Sequence, residues 1–585
     1  MIELRTRMKK YRPTQQYLLI DITQEKWSVH QLSQDVHGKY LGGNPLALYL
    51  YDLYCNEYGE SYETEPLVFA PSLFSQMNIF NASSISIAGR SPFSNEVRVT
   101  QSNALFSTFI CSCGFNAVVL VGSSRRTISV EICEHSVSFH PNEKLYGKSV
   151  SESLAQLDLA KDKTALLIGP SAERKVAFSS IISNYRGIER EGFGAVMGSK
   201  RVKALIVQRG DYLYESMDQQ SLNSHYSGIQ KSIASSSFFS LQKKEFNLAP
   251  ARFALENGYA GVAHCTRRRD PRGIHLQGSF HPEFYQTEGY ENWEAGVRDT
   301  ANKLVPMDSS TMLAFGSNIK NYNPGIAAFY TFHCIDMGLE PVSTAAVISW
   351  VMEARQRGVM NDIPISYSDF SHITEAISNI ASNTDYGQLL AKGTAHLARY
   401  YNDGQFILSI RNKEMLPFDP RGAYGQGLVQ SLGYDFYFAP ELLSRKVPSK
   451  KIRGTGEAVL HSEILFHLGG MLGLHSLSLG AYLCSNTFGL SPIRKRKTSM
   501  LLKSLAEITS EFTGDVCDER TLLQSARSAI ILEQNINKKG REDDASLPLQ
   551  FLINGESSLD DDSTVPITKL LQEYTLKKEL LGLRL

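Results

Sequence analysis

Cysteine is scarce in this chain. Eight residues in 585, at positions 55, 111, 113, 133, 265, 334, 484 and 517, are too few for a secreted disulfide framework and fit a reducing cytoplasm. No Cys-x2-Cys-x3-Cys run is present. Excess charge is missing as well. Lys plus Arg and Asp plus Glu number 60 each, so no global field draws the chain to nucleic acid or an acidic membrane. Met1-Ile2-Glu3-Leu4-Arg5-Thr6-Arg7 has basic residues with no apolar run behind them, so no signal peptide is expected. The most apolar stretch, Ile464 to Leu483, contains His467, His475 and several glycines, and reads as a buried helical segment, not a membrane span. A P-loop signature and tandem repeats are absent. His461, His467 and His475 lack the i, i+4 spacing of a helical zinc site. The basic run Arg494-Lys495-Arg496-Lys497 has no aromatic partners and reads as a solvated face.

What is present suits a large soluble protein. Hydrophobic residues make up 42% and charged residues 21%, and the length suggests several domains. The first 210 residues are β-rich. Tyr17–Ile22, Ala117–Gly122, Thr164–Gly169 and Ala204–Val207 are apolar runs, and Ser84-Ile85-Ser86-Ile87-Ala88 alternates as a half-buried strand does. Helical spacing then takes over at 215–245, 325–356, 370–400 and 499–536. Gly514 should stop one helix and Asp518 cap the next. Polar residues 537–546 read as an exposed loop. The fold class is therefore α+β, divided at 1–210, 211–417 and 418–585.

The motifs point further. Gly192-Phe193-Gly194-Ala195-Val196-Met197-Gly198-Ser199-Lys200 resembles a fingerprint of the aldehyde:ferredoxin oxidoreductases. Leu41-Gly42-Gly43-Asn44-Pro45, Arg90-Ser91-Pro92, Cys113-Gly114-Phe115-Asn116-Ala117 and Ile168-Gly169-Pro170-Ser171-Ala172-Glu173 resemble other family landmarks, in family order. So do Met337-Gly338-Leu339-Glu340, Phe418-Asp419-Pro420-Arg421-Gly422-Ala423, Thr487-Phe488-Gly489-Leu490 and Arg541-Glu542-Asp543-Asp544. The shared order implies the family's fold: a β-rich N-terminal domain and a mainly helical remainder.

That resemblance implies a tungsten or molybdenum bis-pterin beside a four-iron cluster, and gives each candidate residue a role. Ser102, Arg186, Arg190, Leu339, Glu340, Asp419 and Arg421 match cofactor-binding positions, and Glu283 in His281-Pro282-Glu283-Phe284-Tyr285 matches a catalytic acid. An alternative register puts Asp308 and Ser310 at that acid's place. Departures from the pattern cut the other way. Glu189 and Glu191 stand where pterin-loop glycines belong and would repel a phosphate, so the loop also reads as a surface loop with internal ion pairs. On residue chemistry alone Ser102 reads sooner as a backbone cap in a buried turn than as a ligand, and Asp419 with Arg421 sooner as a device that fixes a turn. Where cluster ligands belong the chain has His264-Cys265-Thr266-Arg267-Arg268-Arg269; Cys484 falls near the fourth ligand's place. Arginine cannot ligate iron. The family's His and Lys after the Asp-Pro-Arg-Gly-Ala turn are missing.

Two functions follow as expectations. The first is a cytoplasmic, non-catalytic scaffold or partner paralogue with no metal site and no cofactor. It would pair with itself or with a paralogous oxidoreductase subunit, and not with nucleic acid or membrane. The second is an active bis-pterin tungsten or molybdenum enzyme that oxidises an aldehyde to a carboxylate without the 4Fe-4S cluster, using an unusual electron acceptor.

Overall fold

The computed structural model describes residues 15–58, 61–76, 83–212, 220, 224, 227, 249–266, 283–286, 293–367, 371–438, 450–474, 492–552 and 564–583; for 37, 283–286, 293–295 and 492–500 it describes the backbone alone. Strands β1 (Gln16–Asp21), β2 (Lys26–Gln31), β3 (Leu67–Pro71), β4 (Ser84–Arg90), β5 (Val97–Asn103) and β6 (Val118–Val121) form one sheet in the order β2-β1-β6-β3-β4-β5. A second sheet has the order β11-β10-β9-β12-β7-β8, built from β7 (Ile128–Cys133), β8 (Ser136–Pro141), β9 (Lys163–Leu167), β10 (Ile182–Ser183), β11 (Arg186–Gly187) and β12 (Val202–Gln208). Helices α1 (Gly43–Cys55), α2 (Leu105–Ser112), α3 (Pro170–Glu173) and α4 (Phe193–Ser199) accompany these sheets.

The apolar runs of the N-terminal region have a common cause. Along β6, Val118 and Leu120 enter the core shared with the second sheet and α2, while Val119 and Val121 enter the core under α1. Both faces are covered, so both side-chain registers must be apolar. The half-buried reading of 84–88 is corrected on the same ground. Ile85 and Ile87 fill the inter-sheet core, but Ser84 and Ser86 are fully buried on the opposite face. Ser86 Oγ donates to Asn44 Oδ1 at 2.6 Å. Serine alternation here marks a buried polar seam, not a solvent face.

In the remainder a helix over Ala249–Asn257 precedes a small sheet, β13 (Glu283–Gln286), β14 (Trp293–Arg298) and β15 (Leu304–Pro306). Helices α5 (Ser309–Ala314), α6 (Pro324–Asp336) and α7 (Pro341–Gln356) follow, then the hairpin β16 (Ser409–Ile410) and β17 (Lys413–Glu414). After it come α8 (Tyr424–Ser431), α9 (Thr455–Leu472), α10 (Pro492–Thr513), α11 (Glu519–Asn537) and α12 (Ile567–Leu580). The expected helical spacing at 325–356, 370–400 and 499–536 is realised. Asp518 caps α11 by accepting from Thr521 N at 2.7 Å, as its sequence position suggests. Segment 215–245 lies almost wholly outside the described residues. The small sheet and the hairpin are additions that helical periodicity did not reveal.

One close approach ties the two halves. Gly43 sits at φ +51°, and a Cβ there would lie 2.0 Å from Gly470 O on α9. Only glycine lets α1 start against that backbone. Beside it, Asn44 Nδ2 donates to His467 Nδ1 at 3.1 Å, and burial lowers the His467 pKa to about 3. The exposed-loop reading of 537–546 is corrected too. Arg541 and Glu542 are buried, with Arg541 Nε 2.6 Å from Glu533 and Lys578 Nζ 2.6 Å from Glu542. Their charges are consumed inside the protein, which polarity alone could not show. Among the described residues no helix is long and apolar enough to cross a membrane.

Candidate functional site

The 186–194 loop is where the sequence places most of its chemistry. A two-residue hairpin turn, Asn184 and Tyr185, both at positive φ, joins β10 to β11. Arg186 is on β11, opposite Ser183. The chain then turns inward: Ile188 N donates to Ile181 O at 2.9 Å, and Glu189 is 4% exposed. Glu189 Oε1 accepts from Ile181 N and from Gly194 N, both at 3.1 Å, and Oε2 accepts from Glu191 N at 2.7 Å. A converging set of backbone donors is a standard anion cradle, and here the chain's own carboxylate fills it. Burial pushes the Glu189 carboxyl up to about 7 against the pull of those N–H groups. Gly194 permits the fit, because a Cβ there would lie 2.6 Å from Ser179 C. The surface-loop expectation is thus corrected: the loop is buried, and its charged side chains pair with residues outside it, Arg190 with Glu340 and Asp435 and Glu191 with Lys413.

Those pairs form one network. Arg190 Nη1 is 2.7 Å from Asp435 Oδ1 and its Nε is 3.1 Å from Glu340 Oε2. Lys413 Nζ, on β17, is 2.6 Å from Glu191 Oε1 and 2.8 Å from Asp435 Oδ2. Burial would raise the Asp435 pKa, but Lys413 and Arg190 outweigh it and hold the carboxyl below its usual value. Two cations face three carboxylates, so no positive charge is left over. Glu340 has a second task. It is the N-cap of α7, accepting from Val342 N at 2.9 Å and Ser343 N at 2.7 Å. Leu339 before it is fully buried and bridges to Ser179.

Asp419 and Arg421 face each other. Asp419 Oδ1 accepts from Arg421 N at 2.9 Å and Nε at 3.0 Å, and Oδ2 accepts from Nη2 at 2.7 Å. Arg421 Nη2 also donates to Cys265 O at 2.6 Å. Ala263, His264 and Cys265 make a left-handed turn with φ of 50°, 54° and 54°. It buries His264 completely, with Nδ1 2.7 Å from Ser349 Oγ and Nε2 2.8 Å from Phe406 O. Both ring nitrogens are occupied, and burial lowers the His264 pKa to about 4. Burial also pushes the Cys265 thiol well up, away from thiolate. Among the described residues no group of three or more His, Cys, Asp or Glu could hold a metal ion.

The remaining sequence candidates scatter. Ser102 lies on β5 opposite Ile85, in a strand and not in a turn. Asp308 caps α5, accepting from Thr311 N at 2.8 Å, and Ser310 Oγ is 2.8 Å from Tyr437 Oη. Glu283 is on β13 opposite Gly296, and its side chain is outside the described residues. Cys484, Arg267 to Arg269 and 487–490 lie outside them as well. The structure therefore joins Arg190 with Glu340, and Asp419 with Arg421, but not the two pairs. It adds Lys413 and Asp435, which sequence reasoning missed. Asp435 stands in the shortened 431–437 segment, which was a faint signal; Lys413 had none.

The model for the aldehyde ferredoxin oxidoreductase N-terminal domain matches residues 17–209, and that for domains 2 and 3 matches 296–575. The tungsten-containing aldehyde ferredoxin oxidoreductase of Thermococcus kodakarensis is 23% identical over 450 residues, covering 70% of this chain and 71% of the relative. That of Pyrococcus furiosus is 21% identical over 431 residues, covering 70% and 71%. The WOR-like subunit of an aliphatic sulfonate oxidoreductase, also from P. furiosus, is 22% identical over 426 residues, covering 65% and 66%. Among solved structures, a chain of the active site complex BamBC of benzoyl coenzyme A reductase with 1,5-dienoyl-CoA matches at a TM-score of 0.76. It is 17% identical and covers 98% of this chain and 97% of that one, a likeness of fold alone.

Proposed function

We propose, from the premise that this chain belongs to the aldehyde ferredoxin oxidoreductase family, that it is a non-catalytic member kept as a scaffold or partner subunit. The observation that carries this reading is the Glu189 carboxylate in its cradle of backbone N–H groups. A bis-pterin brings phosphates that need free donors and uncompensated cations. Here the donors hold Glu189, Arg190 is paired with Glu340 and Asp435, and Arg421 with Asp419. The residues in place do not fit that group. Ser102, Arg186, Arg190, Leu339, Glu340, Asp419 and Arg421 then serve the fold. The lack of a Cys-x2-Cys-x3-Cys run supports a protein without the 4Fe-4S cluster. That one relative is a subunit of a larger oxidoreductase supports a partner role, to a second copy or a paralogous subunit.

The tungsten-containing relatives favour a second reading, an active tungsten or molybdenum bis-pterin enzyme that turns an aldehyde into a carboxylate. In it Glu283 would be the catalytic acid and the seven residues above would hold the cofactor. Aldehyde-dependent dye reduction separates the two. Protein made in cells that load an active family member should show no turnover. Turnover that vanishes in Glu283→Gln would overturn the scaffold reading.

A further inference from the structure

The two edges of the first sheet are treated differently. At β5, Asn537 at the end of α11 stands in for a neighbouring strand: its Oδ1 accepts from Val97 N at 2.8 Å and its Nδ2 donates to Val97 O at 3.0 Å. At the other edge β2 pairs with β1 alone, antiparallel, with Val29 opposite Leu18 and Trp27 opposite Ile20. Leu32 N donates to Gln15 O at 2.6 Å, while on the other side of β1 Leu18 N donates to Ala117 O at 2.9 Å. An antiparallel ladder alternates its bonded pairs, so Lys26, Ser28 and His30 bond inward to β1. The N–H and C=O groups of Trp27, Val29 and Gln31 therefore point away from the sheet. Among the described residues no proline, bulge or covering element blunts this edge.

The side chains of the edge are apolar on one face. Val29 ends a row of directly opposed residues, Val29, Leu18, Val118, Phe69 and Ile87, that crosses from β2 to β4. Leu18, Val118, Phe69 and Ile87 are fully buried in the inter-sheet core, whereas Val29 is 42% exposed. Trp27, 39% exposed, ends the next row through Ile20 and Leu120. The core thus runs out to an apolar rim at the free edge. On the opposite face Ser28 Oγ and His30 Nε2 lie 2.7 Å apart.

We propose that β2 docks antiparallel against β2 of a second copy of this chain, about a two-fold axis through Val29, so that the two first sheets become one. The outward-pointing residues Trp27, Val29 and Gln31 are centred on Val29, as an isologous contact requires. The axis sets Val29 opposite itself and Trp27 opposite Gln31. Ser28 meets His30, a pair able to share a hydrogen bond, and Lys26 meets Leu32, so no like charges are opposed. The apolar row then continues from one copy into the other. This self-complementarity selects a second copy over a foreign strand. The contact gives a surface to the partner role proposed above and does not depend on whether the chain is catalytic.

Light scattering of the full chain from about 1 to 100 µM is the test. The wild type should reach twice the mass of one chain. Val29→Lys, which sets two ammonium groups against each other at the axis, should keep the mass of one chain throughout, with the unfolding midpoint of dilute protein unchanged. Oxidative cross-linking with diamide reads the register. Val29→Cys should link two chains, because its thiols face each other. Trp27→Cys, whose thiols would stand about 13 Å apart, should link no faster than the wild type. A wild type that stays a single chain at about 100 µM overturns the proposal, and so does Trp27→Cys linking as fast as Val29→Cys. If Val29→Lys remains a dimer, the second copy docks elsewhere: the β2 contact is then wrong, while the partner role stands.

Discussion

The Lys413 ammonium lies 2.6 Å from the Glu191 carboxylate, across 222 positions of sequence. It also reaches Asp435 at 2.8 Å, so one lysine ties the glutamate of the 186–194 loop to the segment after α8. Removing it leaves the Glu191 carboxylate buried and unpaired. Lys413→Met should therefore cost about 3–5 kcal/mol, read from urea unfolding at neutral pH. A loss under about 1 kcal/mol would mean that the network is screened by solvent and does not hold the loop.

Glu189 makes stability depend on pH in a defined direction. Its carboxyl is raised by burial to about 7, from an ordinary value of 4.5. The native state therefore holds a proton that the unfolded state has released between these values. Stability is lost as pH rises from about 4.5 through 7, by at most about 3 kcal/mol. Glu189→Gln removes that titration. The difference in stability between wild type and variant should fall across this window; a flat difference would contradict the burial argument.

His264 and His467 act in the opposite sense. Burial lowers their pKa values to about 4 and about 3. Below 6.5 the unfolded chain takes protons that the native state refuses, so stability falls as pH drops from about 6.5 towards 4. His264→Asn should be less stable at pH 8 and show a shallower loss on acidification. An equal loss in both proteins would mean that His264 is accessible to solvent.

Gly194 is a test of packing alone. A methyl group there would sit 2.6 Å from the main chain at Ser179, where nothing flexible can give way. Gly194→Ala should lose roughly 2 kcal/mol or more by thermal unfolding. An unchanged midpoint would mean that α4 can slide off the Ser179 backbone.

Much of the fold was legible from pattern. Apolar runs located β1, β6, β9 and β12, and Gly514 with Asp518 divided α10 from α11. The order of weak motifs located the family. Burial of polar groups was not legible. Ser84 and Ser86 alternate with isoleucines as if they faced water, yet they are buried. Arg541 and Glu542 read as an exposed loop until their partners Glu533 and Lys578 are brought beside them by tertiary contact. The site suffers most from this limit. Glu189 and Glu191 stood out because they replace glycines, but their use depends on Ile181, Gly194 and Lys413, whose approach no local period encodes. Ser102 was misplaced because a short polar run between apolar residues looks alike in a strand and in a turn.

The central claim is that the chain's own carboxylates take the place of a cofactor's anionic groups. The most direct test is elemental analysis of gently purified protein for tungsten, molybdenum and iron, with a pterin fluorescence assay on the same sample. Protein from cells that load an active family member should contain none of them in stoichiometric amount. Stoichiometric metal together with pterin would contradict the account, because Glu189 would then have to leave its cradle to admit them.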